Sequence, residues 1–179
     1  SLRTRDEITE TASARLLKLA QNPAQLMKLS TAKLEKAIYP AAFFRNKSQS
    51  LKKLCEDLVD NYEGRVPDKL EELLKLKGVG RKTANLTLIL GHNKLGICVD
   101  IHVHRISNRW GYVKTKSPDE TEMVLRDKLP NRYWKSYNDL LVTFGQNICK
   151  PVSPFCGSCT ISEICPKIHV SKYRSNYYA

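Results

Sequence analysis

The sequence contains no stretch approaching the roughly 20 consecutive apolar residues of a membrane span, and its opening residues do not form a signal peptide. It also lacks internal repeats, low-complexity tracts and the alternating apolar–polar runs that mark strands. Acidic residues are scarce as well, with 18 Asp+Glu against 30 Lys+Arg and a formal charge of +12. A surplus of that size points to a polyanionic partner, although a merely soluble basic protein carries the same balance. An intracellular protein without a membrane partner is therefore expected, in the cytoplasm or nucleoid of a prokaryote or the nucleus of a eukaryote. With 179 residues, 41% of them hydrophobic, the chain can build one substantial core or two small lobes. It opens at Ser1 without a Met, in mid-element, so upstream residues are expected.

What is present is helical periodicity almost throughout, which predicts an all-α fold with short loops punctuated by Pro, Gly and Asn. In "SLKKLCEDLVDNYEG" the residues Leu51, Leu54, Cys55, Leu58, Val59 and Tyr62 fall on one helix face, which Gly64 closes. "SPDETEMVLRDKLP" has Ser117 as N-cap, Pro118 in the first turn and Glu120 to complete a capping box. A further helix from Tyr133 is expected to turn Trp134, Tyr137, Leu140, Leu141, Phe144 and Ile148 inward.

The stretch "LKGVGRKTANLTLILG" looks at first like a nucleotide phosphate loop. A P-loop, however, needs a strand before it and an uninterrupted Gly-Lys pair, and here Arg81 separates Gly80 from Lys82. The preceding "VPDKLEELLKL" reads as a helix with Asp68 as its cap. What remains is helix, Gly hairpin, helix, in which hairpin and first-turn amides can hold a phosphate oxygen. The same pattern also occurs as an ordinary turn.

Near the C-terminus, Cys149, Cys156, Cys159 and Cys165 form a C-x6-C-x2-C-x5-C run, four thiols within seventeen residues. In a reducing compartment such a run reads as metal ligands before disulfides. Zinc ribbons bring two C-x2-C knuckles and this run has one, so an iron–sulfur cube fits the uneven spacing better, with zinc as the alternative. Cys55 and Cys98 lie outside the run and read as small buried apolar residues.

Together, "LKGVGRKTAN", "VDIHVHRISNRWG" and the cysteine run resemble the endonuclease III family of helix-hairpin-helix DNA glycosylases, and the likeness extends from "RTRDE" to Cys165. The resemblance implies a two-lobed all-α fold: a six-helix barrel lobe over residues 1–94, with the helix-hairpin-helix at about 68–91, and a cluster-bearing lobe over 95–179. It implies a [4Fe–4S] cluster on Cys149, Cys156, Cys159 and Cys165, and double-stranded DNA containing damaged pyrimidines or abasic sites as partner, bound across the groove between the lobes. The family's initial helices, normally upstream of "RTRDE", are expected to be missing from this chain, which is expected to act as a monomer.

The resemblance also assigns the chemistry. Lys82, in the first turn of a helix beside Arg81, reads locally as a solvated lysine near a phosphate, but it matches the family's nucleophile. The helix dipole and a cationic neighbour would favour the neutral amine that forms a Schiff base at a sugar C1′. Asp100, eighteen residues on, is a natural N-cap for "IHVHRISNRW" and matches the aspartate that assists the lysine. His102 and His104, two apart on a helix, do not make a paired metal site and are at most DNA contacts.

DNA contacts are expected from Arg3 and Phe43, the base-replacing and wedge positions, and from Lys77, Gly78, Gly80, Arg81 and Lys150 at phosphates. Arg3 stands where the family often has glutamine, and Lys77 where it commonly has proline. The activity implied is that of a bifunctional DNA glycosylase and AP lyase acting on oxidised pyrimidines. The alternatives are a monofunctional relative, such as the adenine glycosylase branch, which lacks the lysine, and a non-catalytic helix-hairpin-helix DNA-binding protein, against which Lys82 and Asp100 together argue.

Overall fold

The structure, a computed structural model, describes residues 4–175, and every regular element among them is helical. The chain divides into two compact units, Ser1–Val79 and Gly80–Ala179, the division falling inside the glycine hairpin.

The first unit holds α1 (Asp6–Leu19), α2 (Pro23–Met27), α3 (Thr31–Ile38), α4 (Phe44–Tyr62) and α5 (Leu70–Leu73). Side-chain caps start two of them: Asn22 accepts from the Gln25 amide at 2.9 Å and Ser30 from the Lys33 amide at 3.3 Å. These caps satisfy amides that have no partner inside the helix. Leu34, Ile38, Leu26, Ala12 and Cys55 close the core. Cys55 is thus the small buried hydrophobe its spacing predicts, and burial pushes its thiol up. The helix α4 begins earlier than its apolar pattern indicates, at Phe44, immediately after Phe43 turns left-handed at φ 56°. It ends as expected, with Glu63 and Gly64 at positive φ and the Gly64 amide returned to the Leu58 carbonyl at 2.8 Å.

The segment before the hairpin departs from expectation. Instead of a helix capped by Asp68, a single turn spans Leu70–Leu73 with Lys69 in the cap position. Leu73 and Leu76 are buried, and three-residue bonds such as Leu76 amide to Leu73 carbonyl, 3.3 Å, tighten the chain into the hairpin before a longer helix can form.

In the second unit, α6 (Arg81–Leu86) runs into a π-helical turn over Thr87–Gly91, followed by α7 (Ile101–Arg109), α8 (Pro118–Lys128) and α9 (Trp134–Asn147). Ser117 caps α8 by accepting from the Glu120 amide at 3.2 Å, and Glu120 reaches back to the Lys116 amide at 2.8 Å. The capping box is therefore present, closed one residue further out than the usual pattern. The core gathers Ile97, Val99, Val103, Ile106, Leu125 and Leu141 between α7, α8 and α9. Cys98, between Ile97 and Val99 in sequence, is fully buried. Leu140 is not part of it. The expectation that it faces inward is wrong, since it is 63% exposed, while Leu141 beside it fills the core. Two adjacent leucines on one helix point about 100° apart, so only one can meet α7.

Candidate active site

Lys82 sits in the first turn of α6, after Gly80, whose extended backbone (φ −93°, ψ 174°) serves as N-cap without a side-chain cap. Its Nζ lies 3.8 Å from Asp100 Oδ2, with the lysine side chain 41% and the aspartate side chain 10% exposed. Asp100 is fixed by its other oxygen: Oδ1 accepts from the amides of His102 and Val103 at 2.8 and 3.0 Å, capping α7. Such a cap is worth about 1 kcal/mol. It leaves Oδ2 aimed at the lysine. One oxygen of Asp100 thus serves the cap and the other is left to face Lys82 Nζ. Below the pair lies Cys98, its thiol 3.9 Å from the Lys82 carbonyl and pushed up to about 11 by burial.

Arg81, adjacent to the lysine, does not stand as a bare cationic neighbour. Its guanidinium is paired with the carboxylate of Glu122 on α8, a bond that raises the arginine's own pKa further. Glu122 is 1% exposed, and nothing in its helical surroundings in sequence marks it as buried.

The four cysteines of the run line one small cavity, together with Arg109 and Phe155. Burial and the other three sulfurs push the Cys156 thiol up. Among the described residues no His, Cys, Asp or Glu group of three or more closes about a single ion. Four thiols are a donor set that either an iron–sulfur cluster or a zinc ion accepts. Two arginines missed by sequence reading hold the loop's entry: Arg109 donates to Cys149 Sγ at 3.3 Å and to the Lys150 and Pro151 carbonyls, both at 2.7 Å. Arg105 donates to the Cys149 carbonyl at 2.8 Å and touches His102 Nδ1 at 3.1 Å. Both arginines lie on α7, the helix that Asp100 caps. Burial lowers the pKa of His102, and likewise of His104, whose Nδ1 meets Thr121 Oγ1 at 2.7 Å. The two histidines thus serve different neighbours.

Of the expected DNA contacts, Arg3 lies outside the described residues. Phe43 is 58% exposed in its left-handed turn. Lys77 and Gly78 are exposed, Gly78 at φ 84°, a conformation open to glycine, and the Lys77 amide reaches Asp57 Oδ2 at 3.4 Å. Gly80 is exposed as well. Lys150 places its Nζ 4.9 Å from the centre of the Phe155 ring. Among the described residues no helix is long and apolar enough to cross a membrane.

Comparison with known proteins matches residues 1–131 to the HhH-GPD superfamily base excision DNA repair protein family. Endonuclease III of Thermotoga maritima is 47% identical over 165 residues, covering 92% of this chain and 78% of the relative. The chloroplastic endonuclease III homolog 2 of Arabidopsis thaliana is 44% identical over 178 residues, covering 93% of this chain and 45% of the relative. A solved structure of a trapped endonuclease III–DNA covalent intermediate superposes with a TM-score of 0.86 at 34% identity, over 92% of this chain and 78% of that one.

Proposed function

The chain belongs to the endonuclease III family within the HhH-GPD superfamily, and from that premise we propose that it is a bifunctional DNA glycosylase and AP lyase of base excision repair. The observation that carries the reading is the approach of Lys82 Nζ to Asp100 Oδ2, 3.8 Å, in a chain 34% identical to an endonuclease trapped covalently on DNA.

Once its ammonium has passed a proton to water, Lys82 Nζ attacks C1′ of a nucleotide whose damaged pyrimidine has been flipped from the stack. The C1′–N bond breaks and the base leaves with the bonding electrons. As that bond stretches, positive charge develops on the sugar, and the Asp100 carboxylate, held by its cap and shielded from water, stabilises it. The C1′-bound ammonium gives a proton to the ring oxygen as the C1′–O4′ bond breaks, which opens the sugar to a protonated imine joining Nζ to C1′. Loss of a C2′ proton expels the 3′ phosphate, and water releases the lysine. A monofunctional enzyme has no use for an amine in this position.

Duplex DNA is the partner. Phosphates are held by Lys77, Lys150 and the amides at Gly78, Gly80 and Arg81, whose helix start has no side-chain cap. The guanidinium of Arg81 is engaged with Glu122, so its phosphate contact runs through the main chain. Exposed, apolar Phe43 is the residue proposed as wedge, and Arg3 the one proposed to replace the flipped base. Cys149, Cys156, Cys159 and Cys165, which line one cavity, would hold a [4Fe–4S] cluster, and its binding would supply folding energy to the loop.

Borohydride trapping on duplex DNA with one abasic site tests the reading. A covalent protein–DNA product is expected; intact protein that binds the duplex and yields none would refute the lyase assignment.

A further inference from the structure

Two consecutive residues of α8, Thr121 and Glu122, are polar, at most 1% exposed and directed to different helices. Glu122 reaches α6: one carboxylate oxygen is held by Arg81, the residue before the proposed nucleophile, and the other by Arg126, one turn along α8. Asn85, also fully buried, closes the cluster. Its side-chain amide donates to the Arg81 carbonyl at 3.0 Å and to the Glu122 carboxylate at 3.4 Å, and its oxygen accepts from Arg126 at 2.9 Å. Thr121 reaches α7 instead, its hydroxyl 2.7 Å from His104 Nδ1, one turn past Asp100.

A carboxylate removed from water costs several kcal/mol unless charge and hydrogen bonds replace the lost hydration. Two guanidinium groups and an amide provide that replacement here, so the site tolerates the charge in one geometry. Lys82 itself is weakly restrained, since its side chain is 41% exposed and, among the described residues, its ion-pair partner is Asp100 alone at 3.8 Å. Its position is therefore delivered through its backbone, by what grips the first turn of α6. The same helix that grips that turn also grips α7, which carries Asp100.

We infer that Thr121 and Glu122 form a strut that sets the distance between Lys82 and Asp100, which makes them positioning residues for the imine chemistry rather than surface or core filler. The inference rests on the lyase reading above. A displacement of the reacting groups by about 1 Å costs on the order of a hundredfold in rate, so cutting either end of the strut is expected to slow chemistry without loosening DNA.

The test uses the full chain, with single-turnover borohydride trapping on abasic duplex and separate binding measurements on a reduced, uncleavable abasic duplex. Glu122→Gln keeps the shape but leaves Arg81 and Arg126 without their counter-charge, and Thr121→Val cuts the tie to His104. Each is expected to lower the trapping rate at saturating duplex by roughly 10- to 100-fold, with affinity unchanged within about threefold. Thr121→Ser retains the hydroxyl and is expected to restore most of the rate, which a general packing role would not predict. The double variant Glu122→Gln/Thr121→Val is expected to be no slower than the worse single one, because both cut the same connection. If Glu122→Gln does not fold, Thr121→Val against Thr121→Ser decides. Folded variants that trap at the wild-type rate, or lose only affinity, overturn the strut alone. Wild-type protein that traps nothing overturns the lyase reading and the strut with it.

Discussion

Asp100 divides its two oxygens between the cap of α7 and the proposed nucleophile: Oδ1 takes the amides of His102 and Val103, while Oδ2 faces Lys82 Nζ at 3.8 Å. Substitutions can separate the two jobs.

Asp100→Asn retains an oxygen for the cap and loses the charge. The fold is expected to survive, while excision of thymine glycol falls at least about a hundredfold through lost stabilisation of the cationic sugar. Some imine should still be trapped on a pre-formed abasic site. Lys82→Gln is expected to abolish trapping and strand cleavage while leaving lesion-duplex affinity within a few fold. Single-turnover rates on the two duplexes, with circular dichroism to verify folding, decide between these outcomes; normal excision by folded Lys82→Gln would end the lysine mechanism.

The cavity lined by Cys149, Cys156, Cys159 and Cys165 leads to a second expectation, a brown protein with about four irons per chain. Cys165→Ser should lose the colour and melt at lower temperature, because ligand binding is folding energy in this loop. Iron-free protein with stoichiometric zinc would contradict the cluster.

Lys150 lies beside the Phe155 ring with its carbonyl held by Arg109, so removing its side chain should leave the loop in place. Lys150→Ala is expected to weaken damaged and undamaged duplexes alike and to reduce the salt slope of binding by about one. A change confined to lesion preference would show that it does not contact phosphate.

Gly145 of α9 packs directly against α7. A β-carbon there would lie 2.5 Å from His102 Nδ1 and 2.9 Å from an Arg105 nitrogen. Gly145→Ala must displace both, and Arg105 would then lose its bonds to the Gly145 and Cys149 carbonyls. A loss of about 1–3 kcal/mol is expected, read from denaturant or thermal melting, together with faster release of iron to a chelator. Unchanged stability would mean that the helices separate freely at this point.

By itself the amino-acid order determined the features that act over a few residues. Helical periodicity, the Ser117–Glu120 cap, the Asp100 cap, the glycine hairpin and the cysteine spacing are each encoded in stretches short enough to be read directly, because hydrogen bonds within one turn depend on near neighbours. Those local signals failed where a longer-range demand intervened, as when burial of Leu73 and Leu76 cut α5 to one turn and α7 accepted Leu141 but not Leu140. Tertiary packing alone decided that Glu122, in sequence one more charge on a helix rich in them, is buried between Arg81 and Arg126. It likewise placed Arg109 on Cys149 Sγ and Lys82 near Asp100. Partners tens of residues apart meet only when whole helices have docked, and the free energy of a buried charge depends on which groups that docking brings to it.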